Sequence, residues 1–149
     1  MRISWVYGPP IITDSPTRGP IPSFLKRALA GEAIREDGGD FAANFTFVGD
    51  VAEGLLAAAL APSLQHDVYH LSSGVNYTAR DVASAVMRAV PGATIELGAG
   101  ALPWTSYTSL RGPLAGDRFT RDTGYRLRHT LDAGIAAYAT WMRAELAPR

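Results

Sequence analysis

The side chains that could bind ligands or perform chemistry here are histidines and arginines. His66, His70 and His129 lack the spacing of a metal-binding motif such as HExxH, and the sequence has no cysteine to supply a thiolate ligand. We therefore expect neither a metal site nor a disulfide. Of the fourteen basic residues, thirteen are arginines and only Lys26 is a lysine. Guanidinium groups are planar and permanently charged, and they can form bidentate hydrogen bonds with phosphate or carboxylate.

Composition narrows the classes of partner. The 149 residues are 47% hydrophobic and 19% charged, typical of one globular domain, and fourteen acidic residues balance the basic ones. This balance gives no reason to expect nucleic acid or an anionic membrane as a partner. No apolar run approaches the roughly 20 residues of a transmembrane helix, and no signal peptide is evident. Together with the lack of cysteine, these features favour a cytoplasmic location.

The elements that must position the candidate residues alternate between strands and helices. Strands are expected at 2–7, 33–36, 45–48, 67–73 and 94–97. A proline-rich loop at 8–22 precedes a helix that Ser23 could cap and Gly31 could end. Asp50 is expected to cap a helix through about Leu60, with Val51, Leu55, Ala58 and Ala59 on its buried stripe.

Two later helices have clearer signals. Thr78 and Asp81 form a capping box before a helix that buries Val82, Val86, Ala89 and Val90 and stops at Pro91. The last helix runs from Thr130 to about Glu145, with Leu131, Ile135, Tyr138 and Met142 on one face. Residues 98–117, which include Trp104 and Tyr107, are interpreted as an ordered loop over a site. The order of elements predicts a single α/β region over 1–149, with at least part of a parallel sheet and no linker.

Five phrases occur in an order that is similar to a known family. They are "RISWVYGPP", "GPIPSFLKRALAGE", "FTFVGDVAEGLLAAAL", "VYHLSSGVNYTARDVA" and "DTGYRLRHTLDAGIAAYATWM". They resemble consecutive motifs in the C-terminal half of the extended short-chain dehydrogenase/reductases, the NAD-dependent epimerase/dehydratase family. The resemblance covers nearly the whole chain. It implies the last strands of a Rossmann-type parallel sheet together with the small substrate-binding domain.

The same resemblance implies that the N-terminal dinucleotide-binding part is absent. The family binds the pyrophosphate of NAD or NADP on a glycine-rich turn that opens a helix. "GAGALP" at 98–103 lacks the third glycine, and Pro103 with the residues after it does not open a helix. We expect that segment not to bind a dinucleotide, so most of the cofactor would be bound by the missing part.

The family's catalytic pair is a tyrosine with a lysine four residues later, which lowers the tyrosine pKa for proton exchange with a substrate hydroxyl. Pro22 stands four residues before Lys26, the single lysine. We therefore expect no catalytic residue in this chain. The polypeptide is interpreted as starting beyond the family's Tyr/Lys pair.

Site residues follow from the motif positions. In the family, the end of the "RISWV" strand faces nicotinamide and substrate, often through an asparagine; here Ser4 and Trp5 occupy it. Ser4, Trp5 and Tyr7 are thus candidates for cofactor contact, and Ser4 and Trp5 also for substrate contact. Trp5 could narrow the pocket or simply pack in the core.

Arginines of this half bind the diphosphate in relatives that act on nucleotide sugars. The first of those positions holds Ala43, followed by Asn44, which makes Asn44 a candidate but weakens the nucleotide-sugar interpretation. Arg111 and Arg118, in "RGPLAGDR", loosely match the second position and could bind phosphate or carboxylate, or be solvated surface residues.

Two functions remain open. The chain could be the substrate-binding portion of an NAD(P)-dependent epimerase, dehydratase or reductase acting on a sugar nucleotide or similar hydroxylated substrate, not competent alone. Alternatively, it could be a non-catalytic, degenerate binding or subunit-interaction module. Parallel strands with uncovered edges favour self-association or a complementary N-terminal chain as partner in either case.

Overall fold

The computed structural model describes residues 1–106 and 112–147. Short strands alternate with helices along the chain, and this confirms the predicted α/β class. The strands are β1 (Arg2–Ile3), β2 (Trp5–Tyr7), β3 (Ile34–Glu36), β4 (Ala42–Ala43), β5 (Phe45–Phe47), β6 (His70–Leu71), β7 (Tyr77–Thr78) and β8 (Ile95–Leu97). The helices are α1 (Pro20–Leu29), α2 (Val48–Leu60), α3 (Ala79–Ala89), α4 (Asp117–Thr123) and α5 (Leu131–Leu146), with a 3-10 turn at Pro16–Arg18.

The strands form four two-stranded pieces of sheet. Three are parallel, β1 with β6, β2 with β5 and β3 with β8, while β4 and β7 are antiparallel. The single strand predicted at 2–7 is divided at Ser4, because its two halves pair with different partners. Among the described residues each half therefore has one paired edge.

The main core lies between α1, α3 and α5. Its largest fully buried side chains include Phe24, Leu25, Val82, Val86, Ile135, Tyr138 and Met142. The predicted stripe of α5 is confirmed, since Leu131, Ile135, Tyr138 and Met142 are all buried. Burial of each such side chain contributes on the order of 1.5–3 kcal/mol of transfer free energy, so this face fixes the helix on the domain.

The helix starts agree with the sequence in one case and differ in another. Thr78 accepts a hydrogen bond from the Asp81 backbone N–H, and the Asp81 side chain accepts one from the Thr78 N–H, which confirms the capping box of α3. Ser23 does not cap α1, which begins at Pro20 after Gly19. Proline suits the first helical turn because it has no N–H to satisfy there. Ser23 is the fourth residue of α1, and its side chain is buried.

Helix α2 differs most from expectation. It begins at Val48, so Asp50 lies within its first turn and is not the cap. Leu55, predicted to be buried, is 47% exposed, and Gly54 faces the sheet instead, with Leu71 Cδ2 only 2.6 Å from where a Cβ would stand. A small residue lets the helix backbone approach β6 closely, and this sets which face is covered.

A second, smaller core lies beside β6. Tyr69, Leu71 and Phe119 are buried there, and Phe119 belongs to α4. The predicted 98–117 loop therefore ends where α4 starts, and Tyr107 with its neighbours at 107–111 lies outside the described residues. Within the described ranges, no helix is both long enough and apolar enough to cross a bilayer.

Candidate functional site

Trp5 lies where the parallel pair β2–β5 begins. It is opposite Phe45 in the register, and its ring meets Phe41 edge-on with centroids 5.5 Å apart. The indole is half-buried and approaches Gly19, whose missing side chain leaves room for it: a Cβ there would stand 2.9 Å from the ring. Trp5 is thus both a packed residue and a partly accessible apolar wall.

Asn44 is held beside Trp5 by the backbone. The Trp5 N–H donates to the Asn44 carbonyl at 3.1 Å, which also brings half-buried Ser4 into this region. The Asn44 amide Nδ2 donates to Ser73 Oγ at 3.1 Å and to the Val75 carbonyl at 2.7 Å. Asn44 therefore ties β5 to the exposed loop after β6.

Two polar atoms, one just before β5 and one on it, are buried without a described partner. Asn44 Oδ1 and Thr46 Oγ1 have no hydrogen-bond partner within the described residues, although both residues are at most 2% exposed. Asn44 directly precedes β5, and Thr46 is the middle residue of that strand. Both atoms therefore keep hydrogen-bonding capacity that no described residue uses. Sequence reasoning missed Thr46; its signal was a polar residue between two phenylalanines.

Tyr7 lies deeper than the other candidates. It is 6% exposed and packs against the rings of Phe47 and Tyr138. Burial, with Asp50 as the next cause, raises the pKa of the Tyr7 hydroxyl far above its usual value. The phenol therefore stays protonated near neutral pH. Its contact with a cofactor stays a prediction.

Of the two candidate arginines, the structure describes only Arg118. Arg111 lies outside the described residues. Arg118 is exposed on α4, and its Nη1 is 3.4 Å from the Val68 carbonyl, just before β6 begins. It lines a cleft with Arg2 and His70. Arg2 and His70 are register partners at the amino ends of β1 and β6, whereas Trp5 follows β1. The described contacts of Arg118 thus lie apart from those of Trp5 and Asn44.

Asp50 is the most connected buried carboxylate. It is 1% exposed and accepts hydrogen bonds from the backbone N–H groups of Arg128 and His129, at 3.0 and 3.1 Å. His129 Nδ1 and the Tyr125 hydroxyl also reach it. Asp50 therefore anchors the segment before α5, which is a positioning task.

The glycine-rich segment at 98–100 does not fit a dinucleotide pyrophosphate. The Gly98 N–H donates to the Glu36 carbonyl and the Gly100 N–H to Asp40 Oδ2. Both amides are thus occupied, and the Asp37 carboxylate crowds Gly98. Two carboxylates would repel phosphate. Across residues 1–106 and 112–147, no group of three or more His, Asp or Glu side chains could hold a metal ion.

The geometry defines a parallel α/β fold of the Rossmann type, and comparison with solved structures makes the class more specific. No protein-family model and no curated protein matches the sequence. UDP-glucose 4-epimerase of Thermus thermophilus, solved with NAD, matches with a TM-score of 0.76 and 25% identity over 97% of this chain and 46% of its own. WbmF of Bordetella bronchiseptica, solved with NAD+ and UDP, matches with a TM-score of 0.76 and 29% identity over 97% and 45%.

These neighbours are NAD-dependent epimerase/dehydratase family members, so the resemblance predicted from the sequence is confirmed. A dTDP-glucose 4,6-dehydratase of Bacillus anthracis, 18% identical with a TM-score of 0.76, shares the fold. The chain spans a little under half the length of these neighbours. It shares the fold of a portion of each of these neighbours.

Proposed function

We propose that this chain is the substrate-binding portion of an NAD(P)-dependent epimerase, dehydratase or reductase that acts on a nucleotide sugar. In this proposal it does not catalyse the reaction alone. A further polypeptide segment, with a glycine-rich turn and a Tyr-x-x-x-Lys pair, completes the site. Support comes from the neighbours, whose structures were solved with NAD, with UDP or with UDP-glucose.

The observation that carries the lack of independent activity is the position of Lys26. It is the only lysine, it lies on α1, and Pro22 stands four residues before it. Its Nζ is 3.0 Å from Asp14 Oδ2 in an exposed ion pair. A lysine committed to a surface carboxylate, with no tyrosine one turn earlier, cannot lower a tyrosine pKa for proton transfer.

The residues near Trp5 have the properties of a substrate wall. Trp5 supplies an apolar surface, and Asn44 and Thr46 supply buried polar atoms that suit a sugar hydroxyl. Ser4 adds a half-buried hydroxyl beside them. In this proposal the four side chains orient the substrate and exclude water, which strengthens polar contacts inside the pocket. Bound NAD or NADP would accept and return the hydride.

The proposed complementing segment has a surface on which to dock. Helix α2 is apolar on nearly all sides, as expected for a helix covered on both faces. One face covers β6, while Leu56 and Leu60 are 58% and 73% exposed. β1 has β6 on one side and no described strand on the other. An added parallel strand and helix would cover both.

The test is a complementation assay. The 149-residue chain is mixed with NAD and UDP-glucose, alone and with a separately expressed N-terminal half from a structural neighbour. We expect no turnover from the chain alone, and turnover when the second half is present. Sustained turnover by the pure chain would overturn the proposal.

A non-catalytic binding module is the second candidate. Two observations favour it: Trp5 replaces the amide usual in the resembling motif, and Ala43, which is buried on β4, replaces the phosphate-binding arginine. Calorimetric titration with UDP-glucose in the presence of the complementing half separates the two. Binding without turnover in any combination supports the module, whereas restored turnover supports the enzyme.

A further inference from the structure

We propose that a second site, at the amino ends of β1 and β6, binds the phosphate groups of a small diphosphate. The site is an open cleft of about 480 Å³ lined by Arg2, His70, Arg118 and Arg121, with Asp117 as the one carboxylate in its lining. It is built from three elements, β1, β6 and α4. The inference uses charges within this chain and does not rest on the proposed function.

The distribution of ion pairs carries the argument. Six basic side chains elsewhere are paired with carboxylates: Lys26 with Asp14, Arg27 with Glu32 and Glu36, Arg35 with Glu96, Arg80 with Asp40, Arg88 with Asp132, and Arg128 with Glu53. Arg2, Arg118 and Arg121 have no carboxylate within ion-pair distance in the described parts of the chain. Arg18, Arg126 and Arg143 also have no carboxylate partner among the described residues, but none of them lines this cleft, where three unpaired guanidinium groups come together.

Two acidic groups lie near these guanidinium groups, and only one of them is in the lining of the cleft. Asp117 lies at the start of α4. Asp122 is engaged by the Tyr69 hydroxyl at 2.5 Å, and that bond, with the charges of His66 and Arg121, lowers its pKa. Asp122 therefore stays negatively charged, but it is not in the cleft lining, where three guanidinium groups face the one carboxylate of Asp117. The excess of positive charge in the lining favours an anion as ligand. The His70 side chain adds a further hydrogen-bonding group.

The arrangement suits a diphosphate more than a single carboxylate. Arg118 and Arg121 are three residues apart on α4 and so project from the same side of the helix. Arg2 projects from a strand, so its guanidinium approaches the cleft from another element. Convergent forks can bind several phosphate oxygens at once, and the volume lies within the range of small-molecule sites.

The experiment is a nuclear magnetic resonance titration of the ¹⁵N-labelled chain with inorganic pyrophosphate and, separately, with UDP. We expect saturable shifts concentrated at Arg2, His70 and residues 115–121 with both ligands. Tighter binding of UDP would identify a nucleoside diphosphate as the ligand, and equal binding would identify the phosphates alone. Binding should weaken as sodium chloride is added, because salt screens exposed charges.

Matched variants test the assignment. Arg118→Gln and Arg121→Gln should each raise the pyrophosphate Kd about tenfold, as expected for loss of one charge-assisted contact. Arg126→Gln removes another exposed arginine without an ion pair, outside the cleft lining, and should change the Kd by less than about twofold. Shifts scattered over the surface, or equal losses in all three variants, would overturn the proposal. Amide spectra of the free variants establish that each is folded.

Discussion

Asp50 holds His129 by two hydrogen bonds, one to the backbone N–H and one to the ring Nδ1, each 3.1 Å long. The residues are 79 positions apart in sequence, and the His129 ring also lies 4.6 Å from that of Phe47. This contact fastens the start of α5 to the start of α2. The buried carboxylate of Asp50 thus adds a polar contact between α2 and the start of α5 to the apolar packing that fixes α5 on the core.

Replacing Asp50 should therefore lower the free energy of unfolding. Asp50→Ala leaves the N–H groups of Arg128 and His129 without their acceptor, and we expect a loss of about 3 kcal/mol in the free energy of unfolding. Urea unfolding followed by circular dichroism measures it. Asp132→Asn breaks an exposed pair with Arg88 and should cost about 0.5 kcal/mol or less. Equal costs for the two variants would contradict an anchoring role.

The elements that sequence predicted well are those whose signals are local. α3 and α5 have one apolar stripe each, and Thr78 with Asp81 marks a helix start within four residues. Helix α2 has no such signal, because leucine and alanine occupy nearly all sides of the helix. Their spacing therefore does not indicate which side is buried. Gly54 decided that side through its approach to Leu71, a long-range contact.

In the candidate site, too, the sequence predicted some positions correctly and missed those that depend on long-range contacts. Trp5 and Asn44 were predicted from motif positions and do lie together, joined by a backbone hydrogen bond. Arg118 was grouped with them because its motif is phosphate-binding in relatives. It lies on α4, for which the sequence predicted no helix, and this helix directs it to the opposite strand ends. Its seven residues follow a segment rich in glycine and proline, so no periodic pattern revealed the helix.

Gly134 is a second position where a small change should be informative. It lies in α5 against the Tyr7 ring, and a Cβ there would overlap the Tyr7 hydroxyl oxygen. Gly134→Ala improves helix propensity by about 1 kcal/mol, but the clash in the core should outweigh this and destabilise the fold by about 1–3 kcal/mol net. Thermal unfolding of the variant measures the balance.

A double-mutant cycle identifies the cause. Tyr7→Phe removes the overlapped oxygen, so Gly134→Ala should cost at least about 1 kcal/mol less in that background. Additive effects of the two substitutions would show that the clash lies elsewhere.

Alkaline pH should weaken the core through its buried tyrosines. Burial raises the pKa of Tyr138 from 10.0 to about 12, and its hydroxyl donates to the Ile11 carbonyl. A raised pKa means that the folded state holds the proton more tightly than the unfolded state does. The stabilisation is complete below pH 10 and is lost as the pH rises towards 12.

Urea unfolding at a series of alkaline pH values measures this dependence. In Tyr138→Phe, which cannot ionise at that position, stability should fall less steeply above pH 10, although the variant is less stable at neutral pH for want of the bond to Ile11. An unchanged slope would assign the alkaline loss to other groups, such as Tyr7.

The uncovered face of α2 should govern association. Leu56 and Leu60 project from a helix whose other side is packed on β6, and exposed apolar patches of this kind favour contact with another surface. We expect the chain to self-associate at high concentration in sedimentation experiments, and Leu56→Glu with Leu60→Glu to shift it to monomer without loss of stability. Leu102→Glu changes a leucine that is 62% exposed outside α2, so it should leave association unchanged. A chain that is strictly monomeric at high concentration, or one that Leu102→Glu dissociates equally well, would show that α2 is not the contact surface.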